Sequence, residues 1–321
     1  MNVKEAEIIL GHSGVVAIPT ETVYGLGALI FGREGLEKIF STKERPFFDP
    51  LIVHVPSIEH ARLLSSNWTV VHEVLAYKAW PGPLTLITEK SDIVNPLITS
   101  GLNSVGVRCP DHPLVLELLN NLGKMGFIAA PSANKFGKTS PTTAQHVFDE
   151  FGGSVPILDG GPCRVGIEST VAGVKERAGK WIVEIYRPGF YTAQKLKDIL
   201  KQEGLEAEVI YAESPVAPGQ LKHHYMPKIP LVIVPATFQW EKDQGRIEEL
   251  MGCNVTRPAF WDQPEKSEIA SRELYESMRK FDSGEFDIII TKKLATHQSE
   301  DWMGIWNRLE KAKSGSLIKG R

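Results

Sequence analysis

Lys43 and Arg45 stand two residues apart in a stretch, STKERPFFDPLIVHV, that changes character before it reaches His54. Pro46 closes a helical pattern, because the residue before a proline is pushed out of the right-handed helical region. Leu51 to Val55 is β-branched and apolar enough to read as a strand. Two cations therefore lie at a helix-to-strand junction, with a histidine in the strand beyond. Other polar residues collect where strands end: Thr20, Thr22, Ser104, Arg108, Ser132, Asn134, Ser169 and Arg187. Of these eleven residues four are cations and none is a carboxylate. Guanidinium and ammonium groups neutralise phosphate oxygens and hydroxyls donate to them, so the set suits the holding of a polyanion. Phosphoryl-type chemistry asks little more of a protein than positioning and charge stabilisation. There is no paired-carboxylate device and no G-x-S-x-G nucleophile elbow. Taken alone, the Lys43 stretch reads as well as a solvated pair in a surface loop; the other strand ends single it out.

The elements that must position these groups alternate. Helical patterns run over 3–12, 34–41, 58–65, 69–79, 113–121, 142–151 and 192–202. Strand patterns run over 15–18, 51–55, 84–87, 104–108, 127–130, 155–158, 167–171, 181–186 and 207–211. Such alternation implies an α/β domain. PTETVYGLGA, residues 19–28, is dense in hydroxyls and glycines directly after a strand and reads as a ligand loop. Gly25 and Gly27 do not make a dinucleotide fingerprint, because position 30 is Ile. Gly137-Lys138-Thr139 is half of a P-loop, and Ser132 stands where the first glycine is required. Residues 212–228 hold three prolines and no periodicity and read as a linker, yet they carry Lys222, His223, His224 and Tyr225. From 229 the alternation resumes as a second, smaller α/β unit, with a Trp/Pro-rich turn between helices 241–251 and 267–282. The domains expected are 1–211, a linker or lid 212–228, and 229–321.

Composition narrows the class. Thirty-six basic against thirty-nine acidic residues give a net charge of −3, so the chain is no general nucleic-acid carpet. Three widely spaced cysteines, Cys109, Cys163 and Cys253, exclude a disulfide framework and a zinc motif and fit a reducing cytoplasm. The N-terminus has no apolar signal region, and no apolar run approaches the ~18 residues of a membrane span.

PTETVYGLGA, TKERPFFDPLIVHV, WPGPLT, SVGVRCPDHP, AAPSANKFGKTSPT, DGGPCRVGIESTV and RPGF follow one another as in the Sua5/YciO/YrdC family, which the chain densely resembles over about 8–192. APGQLKHHYMP and WNRLEKA resemble the linker and C-terminal domain of the longer, Sua5-type members. The resemblance implies a YrdC-like twisted mixed sheet with helices around a concave basic cleft, plus a smaller Rossmann-like α/β C-terminal domain. It implies an enzyme, a nucleotidyltransferase that joins L-threonine, bicarbonate or CO2, and ATP into threonylcarbamoyl-adenylate and pyrophosphate, for the t6A modification of tRNA. It implies Lys43 and Arg45 as catalytic residues. ATP would be held by Arg45, Asp49, Ser104, Ser132, Asn134, Ser140 and Arg187, with Lys222, His224 and Tyr225 reaching it from the linker as a lid. Threonine would be held by Thr22, His54, Arg108, Ser169 and the main chain at Ala130. Ser104 and Ser140 suit strand or cap roles equally well, and Thr20 and Glu21 read as structural.

Two positions depart from the family pattern. Asp49 stands where Asn is frequent, which puts a carboxylate near the phosphates and the Mg2+ that accompanies ATP; no side-chain metal site is otherwise implied. Lys222 stands where archaeal-type linkers have a tyrosine. The partners implied are ATP, L-threonine, bicarbonate or CO2 and, downstream, the tRNA threonylcarbamoyl transferase complex. An RNA contact by the same cleft is the main competing function, as a double-stranded RNA or tRNA binder. A carbamoyl-transfer module or a nucleotide sensor would lack threonine-dependent pyrophosphate release.

Overall fold

The computed structural model describes residues 1–213 and 224–318. They fall into two compact units, Met1–Phe136 with Ser140–Gln220, and Gly137–Thr139 with Leu221–Arg321. Most of the expected linker, Lys222 included, lies outside the described residues.

In the first unit the order is α1 (Val3–Gly11), β1 (Val16–Ile18), β2 (Gly25–Leu29), α2 (Arg33–Lys43), β3 (Ile52–His54), α3 (Ile58–Leu63), α4 (Val70–Ala79), β4 (Leu84–Glu89), α5 (Pro96–Thr99), β5 (Ser104–Arg108), α6 (Pro113–Asn121), β6 (Ile128–Ala129), α7 (Ala144–Phe151), β7 (Thr170–Arg177), β8 (Lys180–Arg187), α8 (Ala193–Gln202) and β9 (Ala207–Tyr211). The nine strands form one mixed sheet in the order β1-β2-β6-β3-β5-β4-β7-β8-β9. β3 runs parallel to β5, whereas β6 and β4 flank that pair antiparallel.

Period-2 alternation sorts the central strands into a core face and a chemical face. Val53, Val105 and Val107 pack with Leu36, Ile39 and Phe40 of α2 and Ile98 of α5. Ile52, His54, Ser104, Gly106 and Arg108, the alternate residues, therefore point to the other face. A side chain on Gly106 would meet Thr85 Cγ2 at 3.2 Å and Ile52 at 3.5 Å, which puts Thr85 of β4 on that face too.

Several boundaries differ from expectation. Residues 25–29 form an antiparallel strand although their glycines suggest a loop, since β1 and β6 supply hydrogen-bond partners on both sides. Residues 155–158 make only the single bridge Ala17–Ile157. The strand expected over 167–171 begins instead at Thr170 and runs to Arg177, paired with β8.

The second unit contains β10 (Leu231–Pro235), α9 (Trp240–Met251), β11 (Pro258–Trp261), α10 (Ser267–Phe281), β12 (Ile288–Lys293), α11 (Met303–Ala312) and β13 (Gly315–Ser316). Its four strands are all parallel, in the order β11-β12-β10-β13. Such a sheet is covered on both faces, and Leu231 to Val234 are accordingly a continuous buried run. β11 occupies the expected Trp/Pro-rich turn: its four residues, too short for alternation to register, are fixed by pairing with β12. Among the described residues no helix is long and apolar enough to cross a membrane.

Candidate active site

Lys43 and Arg45 are brought to one place by the way α2 ends. Glu44 adopts a left-handed conformation, φ 52°, and Arg45 N–H returns to Phe40 O at 2.9 Å, the wrap that closes a helix C-terminus. The helix thus stops one turn-residue before Pro46 acts. Lys43 is 1% exposed and its ammonium donates to the carbonyls of Ser132 and Asn134, each at 2.5 Å. Burial, reinforced by the charge of Arg45, holds its pKa well below the usual lysine value. Arg45 donates to Asp49 O at 3.1 Å and Pro50 O at 2.9 Å and pairs with the Asp49 carboxylate at 2.8 Å. Burial pushes Asp49 up from the ordinary carboxylate range, against the pull of Arg45, Lys43 and Arg187. The PFFDP turn is therefore folded around its own arginine.

On the chemical face of the sheet His54 and Arg108 are register partners across β3 and β5. Both are buried, and His54 Nδ1 has no hydrogen-bond partner among the described residues. Burial, with the Arg108 charge beside it, pulls the imidazole down to about 3, so it is neutral at physiological pH. Arg108 Nε donates to Gly82 O at 3.2 Å and its Nη2 pairs with Glu21 at 2.6 Å. Its Nη1 end has no partner among the described residues and keeps donors for a ligand carboxylate. Gly82 is required here, because a Cβ would lie 2.3 Å from Ala79 O. Thr22 is buried against Thr20, hydroxyl to hydroxyl at 2.8 Å. Ala130 follows β6 and is anchored by its N–H to Ile52 O at 3.0 Å.

A third cluster joins Thr85, Ser169 and Arg187. The Ser169 hydroxyl is 2.8 Å from that of Thr85, and Arg187 donates to Ser169 Oγ and O, both at 3.1 Å. Gly189 lets the chain pass this point: a Cβ there would sit 2.6 Å from Thr170 N. Ser140 donates to Glu168 at 2.6 Å. Asn134 is buried beside the Lys43 ammonium, while the Ser132 side chain is half-buried. Ser104 lines a hollow of about 20 Å3 with Pro50, Ile52 and Thr85, room for about one water. It is four residues along the strand from Arg108, roughly 13 Å away.

Arg108 thus keeps donors next to a neutral histidine, and the charges of Lys43, Arg45 and Arg187 all act on Asp49. The family model for Sua5, YciO and YrdC proteins, described as telomere recombination, matches residues 9–189. A second model, the threonylcarbamoyl-AMP synthase C-terminal domain, matches residues 191–314. The chain belongs to the Sua5/YciO/YrdC family. A relative from Pyrococcus abyssi called threonylcarbamoyl-AMP synthase is 34% identical, across 95% of this chain and 92% of the relative. One of the same name from Bacillus subtilis is also 34% identical, across 99% and 94%. The crystal structure of P. abyssi Sua5 complexed with L-threonine matches with a TM-score of 0.82 at 31% identity, covering 98% of this chain and 96% of that one. The two-domain Sua5 architecture is that of this chain.

Two buried carboxylates, Glu21 and Glu168, fall outside the expected ligand contacts. Glu21, read as structural, is 2% exposed and carries the Arg108 pair while accepting from Asp111 N at 3.1 Å. Glu168, 6% exposed, accepts from Ser140. The signal was present: PTETV and GIEST each place a glutamate inside an otherwise apolar or hydroxyl run, where only a paired carboxylate survives burial. Lys222 falls outside the described residues. His224 and Tyr225 belong to the second unit and are buried there. Their rings meet at 4.1 Å, and Tyr225 lies 5.7 Å from Tyr275 and 5.8 Å from the Arg308 guanidinium.

Proposed function

We propose that this chain is a threonylcarbamoyl-AMP synthase, which makes threonylcarbamoyl-adenylate and pyrophosphate from L-threonine, bicarbonate or CO2, and ATP. The observation that carries the reading is the pairing of a half-engaged buried guanidinium, Arg108, with a separate cationic cluster, Lys43, Arg45 and Arg187, on a chain that two-domain synthases cover almost end to end. One suits an amino-acid carboxylate and the other a triphosphate.

Threonine binds with its carboxylate on the Arg108 fork, flanked by Thr22, neutral His54, Ser169 and the main chain of Ala130. Its amine adds to CO2 to give a carbamate. A carbamate oxygen attacks the α-phosphorus of ATP, and the bond to the β-phosphate oxygen breaks to release pyrophosphate. Lys43, Arg45 and Arg187 stabilise the charge that gathers on the phosphates, and Ser132, Asn134, Ser140 and Ser104 complete the nucleotide contacts. No covalent link to the protein is needed. Among the described residues no group of three or more His, Cys, Asp or Glu is arranged to hold a metal. Asp49 offers a buried carboxylate beside the cationic cluster, which suits a Mg2+ held mainly by phosphates and water. When bound there, Mg2+ would neutralise phosphate charge. The product passes to the tRNA threonylcarbamoyl transferase complex in the cytoplasm. Pyrophosphate release by the purified chain tests the reading: it should require threonine, bicarbonate and ATP together. Salt-steep RNA binding with no such turnover would turn the reading toward an RNA binder.

A further inference from the structure

The second unit holds a cavity that this chemistry does not use. It encloses about 840 Å3, within the range of roughly 300–1,000 Å3 usual for small-molecule sites. Its position follows from the topology. Pro235, Lys293 and Ser316 are the last residues of β10, β12 and β13, and all three line it. Because these strands are parallel, the cavity opens at their shared carboxyl edge. The chain leaves β10 toward β11 on one side of the sheet and leaves β12 toward β13 on the other, so the order reverses at this point. Open α/β sheets bind ligands at such a crevice.

The lining is chemically two-sided. Leu294, Met303 and Trp306 give an apolar wall. In the same lining Lys293 and Lys313 share one carboxylate, Glu310, at 3.7 Å and 2.5 Å. These side chains are 33–39% exposed, so the pairs contribute little and are easily exchanged for another anion. The Lys293 ammonium also stands 4.9 Å over the Trp306 ring, an arrangement that aims it along the apolar wall. His297 adds no charge at neutral pH: it accepts from Leu294 N–H, stacks on Trp302 at 3.8 Å, and is held below the usual histidine value by burial. Two ammonium groups against one carboxylate leave a net positive charge. A cation would be repelled, and a purely apolar ligand would strip water from the lysines without return.

We infer that this cavity is a second ligand site, which takes a phosphate ester of mononucleotide size, its phosphate on Lys293 and Lys313 and its organic part against Met303 and Trp306. Hydrogen exchange of the full chain titrated with AMP reads both units at once. AMP should protect 293–299 and 303–313, and adenosine at the same concentration should not. Lys293→Ala/Lys313→Ala should weaken that protection roughly tenfold, because it removes the charge-assisted contacts. The same double variant should leave AMP protection of 43–54 and threonine-dependent pyrophosphate release within about twofold, since surface changes rarely propagate. Lys293→Gln/Lys313→Gln, which keeps polar stems, should behave in the same way and guards against misfolding. Absence of protection over 293–313 at millimolar AMP, equal protection by adenosine, or protection that survives both double variants would overturn the site.

Discussion

In the first unit Lys43, Arg45, Arg108 and Arg187 are all less than a tenth exposed, and Glu21, Asp49 and Glu168 are buried among them. In the second unit Lys293, Lys313 and Glu310 stand at a cavity mouth a third or more exposed. Taking charges out of water costs several kcal/mol each, and a well-packed apolar cluster of the same volume is often as stable or more so. The first unit therefore carries an arrangement that stability alone does not favour, which is expected where charges must be fixed before a substrate arrives. The second unit keeps its lysines in water and loses nothing when they stand idle. The buried set suits charge stabilisation by groups fixed in advance, and the exposed set suits reversible binding.

The contrast breaks most visibly at Lys43. Lys43→Met keeps the volume and removes the charge, and turnover should fall about 10²–10³-fold, the loss of one preorganised charge contact. Two carbonyls, Ser132 O and Asn134 O, lose a donor, while a costly buried ammonium disappears. The unfolding midpoint should therefore change little. Near-normal pyrophosphate release by the folded variant would remove Lys43 from the chemistry.

Arg108 comes next. Arg108→Lys keeps the charge but cannot span Gly82 O, Glu21 and a substrate carboxylate at once. Threonine affinity should drop roughly tenfold to a hundredfold, by about 1.5–3 kcal/mol, with ATP affinity nearly unchanged. Glu21→Gln should shift threonine affinity in the same direction by releasing the guanidinium. Calorimetry that found ATP weakened and threonine unaffected would move Arg108 to the nucleotide.

A smaller effect concerns pH. The unfolded chain protonates His54 near 6.5, whereas the folded chain does so only at about 3. Below pH 6.5 the unfolded state binds more protons, so stability falls as the pH drops and is fully recovered above that value. The loss should reach about 2 kcal/mol by pH 5. His54→Gln should remove it, read as a smaller difference between urea midpoints at pH 7 and pH 5. Equal differences in the two proteins would mean that His54 already carries its proton when folded. The smallest effect belongs to the exposed set: Lys293→Ala/Lys313→Ala should change the unfolding free energy by about 0.5 kcal/mol or less. A larger loss would mean that these lysines are built into the fold like those of the first unit.

Much of this was legible before the structure because alternation is local. Ile52-Val53-His54 and Ser104 to Arg108 declare a buried face and a polar face within one strand, and the ordered motifs tie those faces to one family. What stayed hidden depends on partners distant in sequence. Residues 25–29 look like a loop until β1 and β6 lie beside them. Glu21 looks like a loop glutamate until Arg108, 2.6 Å away, explains its burial. The crevice of the second unit is set by the strand order β11-β12-β10-β13, which no stretch of sequence states.

The central claim is that the first unit joins a threonine-derived carbamate to the α-phosphate of ATP. Its most direct test is mass detection of the product after incubating the purified chain with Mg-ATP, L-threonine and 13C-bicarbonate. The account predicts an acid-labile adenylate that carries the 13C label and the threonine mass, formed together with pyrophosphate and absent in Lys43→Met. ATP turned over without the labelled adenylate, or a labelled adenylate formed equally by Lys43→Met, would contradict it.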